Sequence, residues 1–384
     1  MSRGSIVKRG KRSYRLKFEV GGDQATGARQ THYVTIKGTR TEALQELTRR
    51  LAAVDAGTHV ASAKTTVAEW LDQWLADQHG LAGKTRERYA ELIHLQIVPH
   101  LGNRPLQKLR PADIQAWHTK LLSEGRRKGG ALSPRTVGHA HRVLGKALTD
   151  ATRLEVLSRD VAAAVPPPKV EAPEVQILTQ PQIAEVMDKL RGHSLYPITV
   201  LALATGARRG ELLALRWTDV DLDGAQLRVE RSLEETKAGL RFKTPKTRNG
   251  RRAITLPAPA VEALRDHRRQ HLERRLALGL GKPSSDALVF PASDGVAPMS
   301  PDNLSRDWAR TCRRLGLPLV MFHALRHTHA SALIAANLDV LTISRRLGHA
   351  KPTTTLNTYG HLFRQSDSGA AAAIEAAMGT GKGT

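Results

Sequence analysis

Residues 322–331 read FHALRHTHAS and residues 347–363 read LGHAKPTTTLNTYGHLF. In the first stretch His323 and Arg326 stand three apart, which puts both on one face of a helix. In the second, His349 precedes Tyr359 by ten residues. Upstream, residues 204–217 read ATGARRGELLALRW, with Arg208 just past a glycine turn and at the head of a new helix. Between them, residues 241–257 read RFKTPKTRNGRRAITLP and set Lys246 in a turn-rich β-hairpin. Any one of these segments is common in unrelated chains, since His-x-x-Arg arises readily by chance. All of them, in order, mark the second half of the chain as the part that carries chemistry.

The remainder of the sequence says what that chemistry acts on. The chain has 384 residues, with 59 Lys and Arg against 36 Asp and Glu, a formal charge of +23. So basic a chain attracts a polyanion, and nucleic acid is the first candidate because contact with phosphates releases counterions. The excess is not confined to one tail: residues 1–64, 65–170 and 171–384 each carry net positive charge. Hydrophobic residues make up 40%, enough for packed cores and too many for a disordered basic tail. No run approaches the roughly 18 to 20 apolar residues that span a bilayer, so a cytoplasmic location, nucleoid-associated when bound to DNA, is expected. The single cysteine, Cys312, excludes an intramolecular disulfide and a cysteine-built zinc site, so thiol-poor, metal-free and cofactor-free chemistry is expected.

Three pieces separate by pattern, giving a mostly α fold with small β elements. Residues 1–63 form a small α+β domain. Ser13 to Val20 alternates, with Tyr14, Leu16, Phe18 and Val20 on one face and Arg15, Lys17 and Glu19 on the other. A second alternating run covers 31–37, with Val34 and Ile36 on one face, and a short strand near Ile6 completes three strands. A helix over 39–54, with Ala43, Leu44, Leu47 and Leu51 on one side, backs them. The basic face with Arg15 and Lys17 suits a DNA groove, the plainer alternative being solvated cations. Residues 64–165 are helical: Val67, Trp70, Leu71, Trp74 and Leu75 make one amphipathic helix, and others run over 85–98 and 111–122. Ser133 and Pro134 open a long helix to about Arg153. That helix has two stripes. Val137, His141, Leu144 and Leu148 face a core, whereas Arg135, His139, Arg142 and Lys146 share the opposite side, a set without an acid that suits a phosphate backbone.

A proline-rich linker, residues 166–176, precedes the third piece, 177–384. Thr179 and Gln182 form a capping box for its first helix, an apolar helix ends at Gly206, and strands at 226–229 and 252–256 give way to helices from Pro259 on. A short C-terminal helix over 370–378 is expected, either packed on a neighbouring subunit or frayed.

The ordered set Arg208, Lys246, His323, Arg326, His349, Tyr359 resembles the active site of the tyrosine recombinases, the phage-integrase family. The local frames match too: Thr-Gly-x-Arg-x-x-Glu at 205–211, Leu-Arg-His at 325–327 and Leu-Gly-His at 347–349. The resemblance extends to the helical piece, which looks like that family's SAM-like core-binding domain, and to residues 1–63, which resemble its arm-binding domain. It implies a site-specific recombinase that cleaves and rejoins DNA through a 3′-phosphotyrosyl link, integrating a phage or mobile element. Implied partners are double-stranded DNA at core and arm sites, further copies in a tetramer, a DNA-bending protein and an excision factor.

Physical chemistry agrees with these assignments. Two arginines neutralise a phosphate without a metal, because each guanidinium is permanently charged and offers a planar fork of donors. Arg208, rather than neighbouring Arg209, has the spacing to Glu211. A tyrosine ester conserves the phosphodiester energy, and of five tyrosines Tyr14, Tyr33, Tyr89 and Tyr196 lie outside the cluster, which leaves Tyr359. By resemblance Lys246 is the general acid, with Lys243 as rival, His323 assists proton transfer at Tyr359, and His349 binds a phosphate oxygen. Glu211 and His327 are read as supports. A metal set of His323, His327 and His329 lacks the carboxylate of a zinc hydrolase. A type IB topoisomerase and a non-catalytic DNA-binding regulator are the alternatives.

Overall fold

The computed structural model describes residues 4–22, 29–56, 64–126, 129–171, 175–245, 248–363 and 368–378. The chain divides into two compact units, 1–172 and 173–384. No described helix is long and apolar enough to cross a membrane.

The first unit opens with three antiparallel strands, β1 (Gly4–Gly10), β2 (Ser13–Gly22) and β3 (Arg29–Lys37), in the order β1-β2-β3. Helix α1 (Arg40–Asp55) follows, capped by Thr39 and Glu42, whose side chains each accept the other's backbone N–H. Leu16 and Phe18 of the apolar β2 face are buried against Ala43 and Leu47. The sequence grouped Leu44 with that face, yet it is exposed. A step of 100° from Ala43 carries it past the stripe formed by Ala43, Leu47, Leu51 and Val54.

Helices α2 (Val67–Asp77), α3 (Gly83–Leu92), α4 (Val98–Leu101), α5 (Pro111–Glu124) and α6 (Pro134–Arg153) make up the rest of that unit. The apolar residues expected in α2, Val67, Trp70, Leu71, Trp74 and Leu75, are all buried, as are Val137, Leu144 and Leu148 of α6. The single helix expected over 85–98 instead widens into a π turn at Ile93–Ile97. Pro99 stands two residues on; it has no N–H for an i−4 carbonyl, and its ring crowds that position, which the wider turn relieves.

The second unit contains α7 (Gln180–Lys189), α8 (Tyr196–Thr205) and α9 (Arg209–Leu213). Strands β4 (Val220–Asp221), β5 (Gln226–Val229), β6 (Ser232–Thr236), β7 (Gly239–Lys243) and β8 (Arg252–Thr255) come next. They form a three-stranded sheet, β4-β5-β8, and a separate β6-β7 hairpin. Helices α10 (Ala258–Ala277), α11 (Pro301–Leu315), α12 (Ala324–Ala335), α13 (Val340–Leu347), α14 (Pro352–Tyr359) and α15 (Ser368–Ala377) complete it. The core gathers α7, α8, α10, α11 and the start of α12 around the sheet.

Trp308 of α11 fixes the entry to α12. It is 1% exposed, its Nε1 donates to the Val320 carbonyl at 2.7 Å, and its ring meets Phe322 edge-on at 5.7 Å. Phe322 precedes His323, so the indole holds the segment that delivers the site's first histidine. Trp308→Ala is expected to cost about 3–5 kcal/mol of stability, read as a lowered denaturant midpoint. A change below about 1 kcal/mol would show that this anchor is dispensable.

Candidate active site

Five of the six predicted site residues fall among the described residues, and all five lie in the second unit. Lys246 lies outside the described residues. The site begins where two helices are stopped. Gly206 ends α8 at φ +62° and Gly348 ends α13 at φ +67°, left-handed conformations that favour glycine. Each turn aims a carbonyl at an arginine. Gly206 O accepts from Arg326 Nη1 at 2.6 Å, and Gly348 O accepts from Arg208 Nη2 at 3.2 Å. Neither glycine tolerates a side chain: a Cβ on Gly206 would lie 2.5 Å from His329 Cδ2, and one on Gly348 would lie 2.7 Å from Arg252 Nη1.

Arg208 is the residue before α9, so its guanidinium and the Glu211 carboxylate meet one turn apart. Arg208 Nη1 donates to Glu211 Oε1 at 2.7 Å and its backbone N–H donates to Oε2 at 3.0 Å. Glu211 is buried and also accepts from Arg252 Nη2 of β8 at 2.9 Å. Burial alone pushes this carboxyl up, but Arg252 and then Arg208 outweigh it and hold it below the usual carboxylate range. The adjacent Arg209 is directed elsewhere, to Asp302 at 3.3 Å and to the Ser305 hydroxyl of α11.

Arg326 is only 4% exposed, and while Nη1 is satisfied, Nη2 is buried with no hydrogen-bond partner among the described residues. Burial and then the charge of Arg208 lower its pKa to about 9, so it remains charged at neutral pH. His349 is buried, and its Nδ1 shares a hydrogen bond with the fully buried Thr355 hydroxyl at 2.8 Å. Tyr359 closes α14 at 1% exposure, and its Oη lies 2.7 Å from His327 Nδ1. Burial raises the phenol pKa, with Arg326 partly opposing. Sequence reasoning gave the phenol to His323 and left His327 as a support. In the structure His327 makes the hydrogen bond, while His323 stands edge-on to His327 at 5.0 Å between ring centroids.

Two further arginines complete the cluster. Arg252 Nε donates to the Arg346 carbonyl at 2.7 Å, and Arg346 Nη2 donates to the Ala204 carbonyl at 2.9 Å. The sequence analysis passed over both; their only signal was two Arg-Arg pairs among many basic residues. Lys243, the rival of Lys246, pairs with Glu234 across the β6-β7 hairpin. Among the described residues no group of three or more His, Cys, Asp or Glu is placed to hold a metal. In particular His329 is occupied: Nδ1 donates to the Leu203 carbonyl at 2.7 Å and Nε2 accepts from Arg346 Nε at 3.2 Å.

In the first unit Arg135, His139, Arg142 and Lys146 are all exposed on α6. Lys146 Nζ sits 5.7 Å from the ring centroids of both Trp74 and Tyr89, which stack on each other. Arg88 of α3 joins this surface, as its charge and those of Arg142 and Arg135 add to partial burial in lowering the pKa of His139. On the sheet, Lys17 is exposed and the Arg15 guanidinium lies 4.4 Å over the Tyr33 ring.

Residues 176–366 match the family model described as the phage integrase family, and residues 66–122 match its N-terminal SAM-like domain. A tyrosine recombinase XerC-like protein of Caldanaerobacter subterraneus subsp. tengcongensis is 26% identical over 380 residues, spanning 94% of this chain and 95% of its own. An integrase of Streptomyces ambofaciens is 30% identical over 343 residues, 85% of this chain and 84% of its own. The Tn1549 transposon integrase, solved in complex with transposon right end DNA, superposes with a TM-score of 0.67 at 22% identity, covering 81% of this chain and 99% of that one.

Burial, followed by neighbouring positive charge, depresses His323 and His349 to about 4, and burial does the same to His329. An unfolded histidine titrates near 6.5, so below that value the unfolded chain binds protons that the folded chain refuses. The stability held in these neutral rings is complete above about pH 6.5 and is lost as pH falls towards 4. Buried His329 alone accounts for up to about 3 kcal/mol of that loss. Urea midpoints measured across this range should therefore drop, and less steeply in His329→Gln; a flat profile for the unaltered protein would contradict neutral histidines here.

Proposed function

The chain belongs to the phage integrase family, the tyrosine recombinases, and from that premise we propose which of its residues carry each step of the reaction. As a site-specific integrase it breaks and rejoins DNA, which accounts for a basic chain in which no segment is neutral. What most supports the assignment is Nη2 of Arg326, which has no partner among the described residues. A buried guanidinium nitrogen without an acceptor is costly, and a phosphate oxygen supplies the missing partner. Arg208 and His349 bind the other non-bridging oxygens, and His323, crowded by cations, contributes an N–H to the same phosphate.

Tyr359 Oη then attacks the scissile phosphorus. A P–Oη bond forms, the bond to the 5′ oxygen breaks, and that oxygen takes a proton from Lys246. The engagement of Lys243 with Glu234 favours Lys246 for this role. The 5′-hydroxyl of a partner strand reverses the chemistry, forming a new P–O bond and releasing Tyr359. Each copy contributes one such tyrosine, and exchange between two duplexes breaks four strands, so four copies act together. Proteins that bend the DNA or favour excision act with them.

The α6 stripe of Arg135, His139, Arg142 and Lys146 binds the phosphate backbone at core sites, while the sheet face with Arg15 and Lys17 binds arm sites. Residues 1–63 thus form the arm-binding domain and 64–165 the core-binding domain, with 177–384 catalytic.

Incubation with a nicked suicide duplex carrying the core site should trap a covalent adduct, abolished by Tyr359→Phe and slowed about 10²–10³-fold by Arg326→Ala. Binding without any strand cleavage would point instead to a regulator, and relaxation of supercoils at arbitrary sequences to a topoisomerase. For the first unit, Arg142→Ala should weaken core-site binding and lower the slope of log affinity against log salt by about one. Deleting residues 1–63 should remove arm-site binding and leave core cleavage intact; loss of core cleavage would overturn the arm assignment.

A further inference from the structure

We propose that His327 is the group that accepts the Tyr359 proton as the phenol attacks. The proposal rests on the recombinase reading above and adds to it a reacting group which neither the motif order nor that reading assigns.

Tyr359 Oη is enclosed at 1% exposure, and its one hydrogen bond among the described residues is to His327 Nδ1 at 2.7 Å. A buried hydroxyl proton needs an acceptor. With a single partner, the phenol must donate and Nδ1 must accept, which fixes the His327 tautomer with its proton on Nε2. Nδ1 therefore already carries the lone pair that a base requires, at the distance general-base transfer requires. The charged and titratable groups around this ring suit that state. Arg326 lies one residue back on α12, His323 meets the ring edge-on at 5.0 Å, and Tyr359 approaches from the end of α14, its ring 5.6 Å away. Burial and then Arg326 disfavour an imidazolium. Entry of the phosphate beside Arg326 offsets that charge, so the ring becomes a better proton acceptor when substrate is present.

The step balances. The Oη–H bond breaks and the proton passes to Nδ1, giving imidazolium. The Oη lone pair forms the bond to phosphorus, and the 5′ oxygen leaves with a proton from the general acid. In rejoining, the imidazolium returns its proton to the departing phenolate.

Single-turnover cleavage of the suicide duplex tests this directly. With core-site binding retained, His327→Ala should cleave about 10²-fold or more slower at pH 7, and its rate should climb with pH, narrowing the gap to the unaltered protein as phenolate becomes accessible without a base. A duplex with sulfur in place of the 5′ bridging oxygen has a leaving group that needs no acid. It should restore cleavage to Lys246→Ala and not to His327→Ala. Cleavage by His327→Ala within about threefold of normal, or its rescue by the sulfur substrate, overturns the proposal. Full activity with an unaltered pH profile in His327→Asn, an acceptor that is not a base, assigns the residue to positioning alone and overturns it equally. Should His327→Ala not fold, His327→Gln carries the same comparison. If the unaltered protein forms no adduct, the recombinase reading itself fails; an adduct that ignores His327 sinks only this step.

Discussion

The buried carboxylate of Glu211 is the interaction on which the rest of the site depends. It joins Arg208, at the start of α9, to Arg252, on β8, and Arg252 in turn holds the Arg346 carbonyl near the end of α13. Three elements far apart in sequence are thereby fixed around a single anion. Removing one member would leave buried charge unpaired, which costs several kcal/mol, whereas the intact set leaves a net excess of positive charge. A lysine could supply charge at Arg252, but not the planar fork that reaches Glu211, the Arg346 carbonyl and Gly250 at once.

The two helix-ending glycines interlock with this network. Gly206 directs its carbonyl to Arg326 while its bare α-carbon packs against His329 and Leu347. Gly348 does the same for Arg208 while packing against Arg252. Each helix stop therefore positions one arginine and leaves room for a side chain of the surrounding network, His329 at Gly206 and Arg252 at Gly348. Orientation of this kind is how a site built on rigid elements holds donors ready for a transition state.

Much of this was legible in the sequence, and the rest was hidden for identifiable reasons. Spacing to Glu211 separated Arg208 from Arg209, because a residue one turn before a carboxylate meets it whatever the tertiary context. Alternation exposed the apolar face of β2, and the 3.6-residue period exposed those of α2 and α6. The partner of Tyr359 was not legible. His323 and His327 share a face of α12, and only the path of the chain into α14 decides which ring nitrogen reaches the phenol. Arg252 and Arg346 escaped notice because a buried arginine and a solvated one look alike within a strongly basic chain. The π turn was hidden in a pattern that a regular helix satisfies equally well, until Pro99 is considered.

The neutral histidines follow from burial first and from the same surplus of charge second. Burial, then Arg326, Arg208 and Arg252, lower the proton affinity of His349, while Glu211 opposes them. Protonated rings here would add to the repulsion among these arginines, so the fold keeps them neutral at some cost in acid stability. The large surface charge brings DNA to the protein and sets the salt dependence of binding.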